Sequence, residues 1–562
     1  MILTEDQLKS LILKTGILDE RGLSELSEFA KNSQATFEDA IIERDVITDQ
    51  NLGLLTADYL KIPFVILSNI SIPEDVFRIV PQKIARKQKV IAFARDESGL
   101  KLAMADPRNM EVRELIAKKT NERVIIHYAT QRDIENALRI YRKDLKKAFD
   151  ELVEAVGDGG ISQEANVGAP VAKIVDLLID YAYQDKSSDI HIEPKESNSL
   201  VRFRIDGILH DVLYFPKSLH ERIVTLIKVL SRLRTDEHLS AQDGKMRIQL
   251  EEEKLDIRVS IIPIVEGEKV VLRLLSSHFR QFSLIDLGMS EEDLKKVNRA
   301  FKKTYGMLLS TGPTGSGKTT TIYAILKILN TREKNITTIE DPVEYKIGGV
   351  NQVQVNPKTD LTFAHGLRSL LRQDPNIIFV GEIRDNETAG IAVNAALTGH
   401  LVLSTLHTND AASAIPRLMD MEVEPFLVAS TLTVVVAQRL VRKICDMCKT
   451  SYTTKKEELK RNLPLDMVEA HFADKDEILV YKGAGCKICH FTGYMGRIGL
   501  FEVLEVSKTV RELISKKSDS EVIEKQARLE GMTTMLSDGL KKIIKGQTTI
   551  EEVLRVTKIE LV

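Results

Sequence analysis

The stretch from Leu308 to Thr321, LLSTGPTGSGKTTT, constrains this chain more than any other. An apolar run, Met307 to Leu309, leads into Gly312, and Gly317, Lys318 and Thr319 complete the spacing G-x-x-x-x-G-K-[ST] of a phosphate-binding loop. Glycines let successive backbone N–H groups turn inward around a phosphate chain, and the helix that follows adds the positive end of its dipole. The candidate nucleotide-binding residues are therefore Gly312, Pro313, Thr314, Gly315, Ser316, Gly317, Lys318, Thr319 and Thr320. Lys318 would neutralise the β- and γ-phosphates, and the Thr319 hydroxyl would hold a magnesium ion. A Gly-rich turn with a chance lysine is the alternative. The apolar strand before the loop and the apolar helix positions after it (Ile322, Ile325, Leu326, Leu329) favour a nucleoside triphosphate site.

At 562 residues the chain is too long for one core, and about three or four domains are expected. A hydrophobic content of 43% and a charged content of 29% are those of an ordinary soluble globular protein. The net charge of −3 supplies no global attraction to nucleic acid. MILTEDQLKS, at the start, lacks the basic and apolar segments of a secretory signal, so no export is implied. The most apolar segment, Phe426 to Ala437 (FLVASTLTVVVA), is too short to span a bilayer and reads as a buried helix; any membrane contact is expected to be peripheral.

Residues 1–145 alternate amphipathic helical patterns with short strands, an α/β module without a catalytic constellation. Thr4 and Gln7 have the spacing of a capping box, helices are expected over Leu23–Ala30 and Asn51–Tyr59, and strands at 90–95 and 100–107. From 146 to 168 the apolar content thins and Gly157, Asp158, Gly159 and Gly160 cluster, which reads as a linker. Residues 169–280 form a second, smaller α/β module. In SSDIHIEP, Asp189, His191 and Glu193 share one strand face; Arg202 and Arg204 point one way before an Asp206-Gly207 hairpin turn; Ser218 and Glu221 read as the cap of a helix over Leu219–Leu233. LDIRVS and VVLRLL carry Arg258 and Arg273. Strand arginines are usually a solvated face, but placed ahead of a nucleotide domain they are candidates to reach a γ-phosphate.

From 281 to 562, strands alternate with helices, the pattern of a mostly parallel sheet with its ligand at the carboxyl ends of the strands. The strand at 376–380 ends in Gly381 and Glu382, which suits a magnesium-holding carboxylate; TTIEDP delivers Glu340 and Asp341 at another strand end. One carboxylate would orient the attacking water and the other support the metal, although acidic residues after strands also cap helices. His400 and His407 flank LVLSTL and are candidates to sense the γ-phosphate, with a structural role as the alternative. Cys445 and Cys448, then Cys486 and Cys489, form two Cys-x-x-Cys pairs and are the only cysteines. Four thiolates fill a tetrahedral zinc shell with no open position, so structural zinc is favoured over redox dithiols or free thiols.

GPTGSGKTTT, TTIEDPVEY, LLRQDPNIIFVGEIRD and LTGHLVLSTLHTND resemble, in order and spacing, the Walker A, aspartate-box, Walker B and histidine-box motifs of the secretion ATPase superfamily. SSDIHIEP, the tetracysteine and the tail EGMTTMLSDGLKKIIKGQTTIEEVLRVT are similar to its type IV pilus assembly (extension) and type II secretion branch. The resemblance is close over 165–562 and loose over the first 145 residues. It implies a RecA-like P-loop ATPase core carrying a tetracysteine zinc subdomain at about 441–500 and preceded by a PAS-like middle domain and an N-terminal α/β domain. It further implies ATP, Mg2+ and Zn2+ as cofactors and a homo-hexamer that drives a membrane platform protein. The location implied is cytoplasmic, peripheral to the inner membrane. Arg258 and Arg273 match arginines that close over ATP, Glu382 the Walker B glutamate and Glu340 that of the aspartate box; which of the two is the general base stays open. Retraction ATPases with this core lack the tetracysteine, so its presence argues for extension. The N-terminal stretches ILKTGIL and TFEDAII lack the arginine of the Arg-Leu-Gly motifs that bind cyclic di-GMP in some relatives, so such a site does not follow from the resemblance.

Two rival readings share the same core. A nucleic-acid translocase is opposed by near-neutral charge, 5% aromatic content and the absence of tryptophan. A nucleotide-binding scaffold without turnover is opposed by the presence of Lys318, Thr319, Glu340 and Glu382 together.

Overall fold

The capping-box spacing at the start of the chain does what it predicts. The Thr4 hydroxyl accepts the Gln7 N–H at 3.3 Å while the Gln7 side chain accepts the Thr4 N–H at 2.9 Å, and the helix Glu5–Thr15 begins there. The computed structural model describes residues 2–33, 36–43, 46–67, 70, 72–138, 148–152, 168–250, 254–275, 283–461, 463–472 and 476–557. Helices Glu20–Ser33 and Asp49–Leu60 follow where the periodicity expects them. β1 (Val90–Asp96) and β2 (Gly99–Met104) pair as an antiparallel hairpin, and β3 (Val124–Tyr128) lies parallel to β2.

The chain divides into two compact units, one of residues 1–138 with 282–562 and one of residues 139–281. The glycine cluster at 157–160 lies outside the described residues. Residues 148–152, read as linker, are helical where described, and Phe149 is buried in the core of the second unit.

That second unit is built on β4 (Asp189–Pro194), β5 (Asn198–Ile205), β6 (Ile208–Pro216), β7 (Gln242–Gln249), β8 (Lys254–Ile264) and β9 (Gly267–Leu275). They form one antiparallel sheet in the order β6-β5-β4-β9-β8-β7. Asp206 and Gly207 take φ values of 51° and 88°, the two left-handed residues of the tight hairpin turn their sequence announces. Ile190, Phe203 and Leu272 bury one sheet face under helices Gly168–Gln184 and Lys217–Leu230. Alternation leaves Asp189, His191, Glu193, Arg202 and Arg204 on the other face. The helix expected to be capped by Ser218 instead starts at Lys217 without a side-chain cap. Pro216 precedes it with φ −60°, a value the ring fixes, and the helix ends at Leu230 rather than Leu233.

In the first unit, β10 (Gly306–Thr311) is flanked by β14 (Leu401–Leu406) and β15 (Leu432–Ile444). With β11 (Ile336–Glu340), β12 (Asn351–Gln354), β13 (Ile377–Val380) and β18 (Tyr494–Glu505) the sheet runs β12-β11-β13-β14-β10-β15-β18, parallel except for β18 at the edge. One face packs on the helix Lys318–Leu329 through Leu308, Ile322, Ile325 and Phe379, the other on the helix Asn386–Leu397 through Leu309, Ala392, Ala396 and Val402. Trimming one fully buried ring here, Phe379→Ala, costs about 3–5 kcal/mol by the usual cavity argument.

The segment Phe426–Ala437 corrects the expectation of a single buried helix. Helix Pro425–Thr431 stops at Leu432, and Leu432–Ala437 opens the thirteen-residue strand β15. Its β-branched run, Thr433 to Val436, favours strand, and β10 offers an open edge on which Val434–Ala437 pair in parallel with Leu308–Thr311. β16 (Lys449–Lys455) and β17 (Glu477–Gly483) make a separate antiparallel pair between the two cysteine pairs, connected through helices Lys456–Lys460 and Leu465–Phe472. Beyond β18 the chain is helical: Lys508–Ser515, Ser520–Leu529, Met535–Ile544 and Ile550–Val556.

Candidate nucleotide and zinc sites

The loop after β10 is shaped by what a side chain would meet there. At Gly312, with φ +147°, an added Cβ would lie 2.5 Å from the Gln438 carbonyl and 2.6 Å from Ser316 Oγ. Gly317, at φ 93°, hands the chain to the helix that starts at Lys318, so the unpaired N–H groups of its first turn point at the loop. Lys318 is 8% exposed, and its Nζ donates to the carbonyls of Gly312 at 2.8 Å and Pro313 at 3.1 Å. Burial pushes its pKa down; the Glu382 carboxylate opposes that shift and the Arg439 guanidinium adds to it. An ammonium resting on neutral carbonyls beside a helix N-terminus suits an anion, and a polyphosphate fits it. Pro313, Thr314 and Gly315 are exposed, whereas Thr319 and Thr320 are half-buried in the first helical turn.

The carboxyl end of the sheet brings the carboxylates to the same edge. Gly381 and Glu382 follow β13, and the Gly381 carbonyl is fixed by the Thr405 hydroxyl at 2.7 Å. Glu382 pairs with Arg384 at 2.5 Å and with His407 Nε2 at 3.1 Å. Thr319 and Glu382 are the residues present that would hold magnesium, which would screen the charge of the phosphates. Glu340, the last residue of β11, is 2% exposed. Its Oε1 accepts from Thr338 Oγ1 at 2.6 Å and Gln352 Nε2 at 3.2 Å, and its Oε2 accepts from the Tyr323 hydroxyl. Burial raises its pKa, against the pull of those three donors.

The two histidines part company. His407 stands beside Glu382, whereas His400 precedes β14 at its amino end, its carbonyl accepting from Gly306 N–H at 3.1 Å and its Nδ1 lying 3.0 Å from the Ala395 carbonyl. A six-residue strand is roughly 20 Å long, so His400 does not join the phosphate loop at the opposite end of β10 and β14. Arg258 and Arg273 lie in the second unit, directly paired across β8 and β9, with Arg273 Nε on Asp189 Oδ1 at 3.0 Å.

Gln438 and Arg439, to which the sequence alone assigns no role, complete the cradle, together with Thr408 and Asn409 beside His407. Gln438 Nε2 donates to the Ser316 carbonyl at 2.9 Å, and Arg439 donates to Asn409 Oδ1 at 3.0 Å. Thr408 N–H donates to Thr311 Oγ1 at 3.0 Å, tying the histidine loop to the end of β10. The signal for Gln438 and Arg439 in the sequence is a polar pair directly after the apolar run 426–437.

The four cysteines converge although 37 residues separate the pairs. Cys445 Sγ lies 3.9 Å from Cys486 Sγ, Cys448 3.8 Å from Cys489, and Cys486 3.7 Å from Cys489. A tetrahedron with Zn–S bonds of about 2.3 Å has edges of about 3.8 Å, so the donor set fits Zn2+. Burial pushes the Cys445 thiol up and Cys448 up to about 11. Cys489 goes down despite its burial, because the N–H groups of Cys486 and Gly493 point at its sulfur. Zinc here would supply a cross-link between the end of β15 and the start of β18. Among the described residues no helix is long and apolar enough to cross a membrane.

Comparison with known proteins agrees with this geometry. The Type II/IV secretion system protein family matches residues 164–555, and an MshEN domain matches residues 60–147. The type IV pilus assembly ATPase PilB of Myxococcus xanthus is 36% identical over 562 residues, covering 98% of each chain. The type II secretion system protein E of Pectobacterium carotovorum is 42% identical over 500 residues, covering 86% of this chain and 97% of the relative. The X-ray structure of the Legionella pneumophila ATPase DotB, 20% identical, superposes with a TM-score of 0.50 over 68% of this chain and 94% of that one, a likeness of fold. With a phosphate loop at the carboxyl edge of a parallel sheet, four converging thiols and matches of this extent, the chain belongs to the Type II/IV secretion system protein family.

Proposed function

We propose that this protein is a magnesium-dependent ATPase whose turnover powers assembly of a type IV pilus. The observation that carries the reading is the Lys318 ammonium, buried on its own loop carbonyls at the edge where Glu382 and His407 meet. Phosphates entering the loop replace those carbonyls as partners of Nζ, a charge-assisted exchange that favours binding. Glu340 is the general base: Oε1 already accepts two hydrogen bonds, Oε2 has one acceptor position left, and its raised pKa suits it to take a proton from water. Glu382 and Thr319 would hold the magnesium ion, which would screen the phosphate charge, and His407 and Arg384 hold the Glu382 carboxylate in place. Arg258 and Arg273 are the residues through which the middle domain responds to nucleotide.

The pilus reading is supported by end-to-end similarity to a pilus assembly ATPase, 98% of both chains. A type II secretion role is the second reading, favoured by the higher identity to secretion proteins over 86% of the chain. In either case the working form is a homo-hexamer at the cytoplasmic face of the inner membrane, pushing on a platform protein. Phosphate release by the purified chain, compared with Lys318→Ala, tests the enzyme; imaging surface pili and assaying secretion in a deletion strain separates the two roles. Turnover no higher than that of Lys318→Ala under any partner condition would end the motor reading.

A further inference from the structure

The loop that follows His407 is held at its far end by a buried carboxyl that the reaction above does not use. Glu502, on β18, is 5% exposed, and its Oε1 accepts the Ala411 N–H at 2.9 Å. The backbone N–H of Met535, the first residue of the helix Met535–Ile544, faces it closely enough to favour its charge. One carboxyl thus joins the loop to β18, beside the start of a C-terminal helix. At its other end the loop is tied to the phosphate cradle. Thr408 N–H donates to Thr311 Oγ1 at 3.0 Å, one residue before Gly312, and Arg439 reaches Asn409 Oδ1 at 3.0 Å. In between, Asp410 accepts from Ser413 N–H at 2.7 Å and Ser413 Oγ at 2.8 Å.

We propose that Glu502 is a positioning residue for the nucleotide site: its carboxylate fixes the loop Thr408–Ala411, and through Thr311 and Arg439 the cradle itself, against β18, to which Asp538 ties the C-terminal helix Met535–Ile544. The proposal rests on the ATPase reading given above. The groups facing Glu502 account for its sensitivity. Asp410 on the loop and Glu524 on the helix Ser520–Leu529 are carboxylates that oppose its ionisation; from Met535–Ile544, Asp538 accepts the Phe501 N–H at 2.8 Å and is neutralised by the buried Lys542; on β15, Arg439 lies beside Asp410. Burial first, then Asp410 and Glu524, raise the Glu502 carboxyl to about 7 against the pull of the Ala411 N–H. Ionised, it holds the Ala411 N–H by a charge-assisted bond; protonated, it holds it weakly.

The two consequences run in opposite directions. As pH rises through about 7 the loop is held more firmly and turnover increases. Stability moves the other way: between the ordinary value of 4.5 and about 7 the folded chain keeps a proton that the unfolded chain releases, so this group's contribution falls as pH rises.

The test is the pH profile of kcat for the full chain with magnesium and ATP, for wild type, Glu502→Gln and Glu502→Asp, each checked for folding by circular dichroism. Wild type gains about fivefold in kcat across neutrality, the equivalent of ~1 kcal/mol of charge-assisted hydrogen bonding, and Glu502→Gln lacks that limb and runs at the low-pH level. A folded but inactive Glu502→Gln supports the proposal if Glu502→Asp restores a rising limb and overturns it if Glu502→Asp does not. Superimposable wild-type and Glu502→Gln profiles overturn it as well. A wild-type rate equal to that of Lys318→Ala would instead remove the ATPase reading, and this proposal with it.

Discussion

Gln438 holds Ser316 from the neighbouring strand: its amide N–H donates to the Ser316 carbonyl at 2.9 Å while its Oε1 accepts from Ser310 Oγ at 3.3 Å. Both ends of the phosphate loop are thereby tied to β15, at a residue 2% exposed. Gln438→Leu keeps the volume and leaves the Ser316 carbonyl without its donor, a cost of about 1–3 kcal/mol. The expected outcome is a rise of roughly tenfold or more in the Kd for ATP, read by titration calorimetry, with the circular dichroism spectrum unchanged. Unaltered affinity would mean that the brace does not shape the cradle.

The two carboxylates at the sheet edge should fail differently. Glu340→Gln leaves an uncharged side chain beside Tyr323 and removes the base, so kcat drops by about 10²–10⁴-fold while ATP still binds. Glu382→Gln loses its charge beside His407 and Arg384 and weakens magnesium-dependent binding, raising the magnesium concentration needed for half-maximal rate. Steady-state kinetics with magnesium varied against fixed ATP distinguishes them; identical defects would contradict the division of roles.

Removal of metal is expected to act on stability first. The four thiols sit at tetrahedral edge lengths and bind β15 to the approach to β18, so chelation should release one zinc per chain and lower the melting temperature by about 5 °C or more. Cys448→Ser should show the same shift without chelator. Unchanged melting, with no zinc found by elemental analysis, would leave the cluster as reduced thiols only.

Glu193 in the second unit supplies a pH test. Burial alone would raise its carboxyl, but hydrogen bonds from Arg202, at 2.6 Å, and Lys269 outweigh it and hold the pKa at about 2. Because the folded value lies below the ordinary 4.5, the stability it contributes is fully present above pH 4.5 and is lost as pH falls toward 2. Glu193→Gln should therefore melt at a lower temperature than wild type at pH 7, with the gap closing between those two values. A gap that stays constant down to the lower pH would show that the ion pairs contribute nothing specific to charge.

Much of the nucleotide site could be read without a structure because it is contiguous. The backbone turns that make an anion cradle need glycines at fixed intervals, and the helix that follows needs its own apolar face; both are local and both are visible in LLSTGPTGSGKTTT. The cysteine pairs are legible for a similar reason, since two short loops each present two sulfurs whatever lies between them. The strand half of Phe426–Ala437 is not legible, because an apolar run carries no period and the open edge of β10 decides whether it pairs.

Chain-local chemistry, then, determined that a phosphate cradle and a four-thiol cluster would form and which residue types would line them. Strand order decided the rest. Placing β15 beside β10 brings Gln438 to Ser316, 122 residues away, and puts Arg439 next to the loop after His407. The parallel direction of β14 sends His400 to the far edge while His407 meets Glu382, and burial in the sheet gives Glu340 and Glu502 their raised pKa values. Such pairings depend on which distant strands share hydrogen bonds, a choice made by burying whole apolar faces at once, and no short stretch of residues contains it.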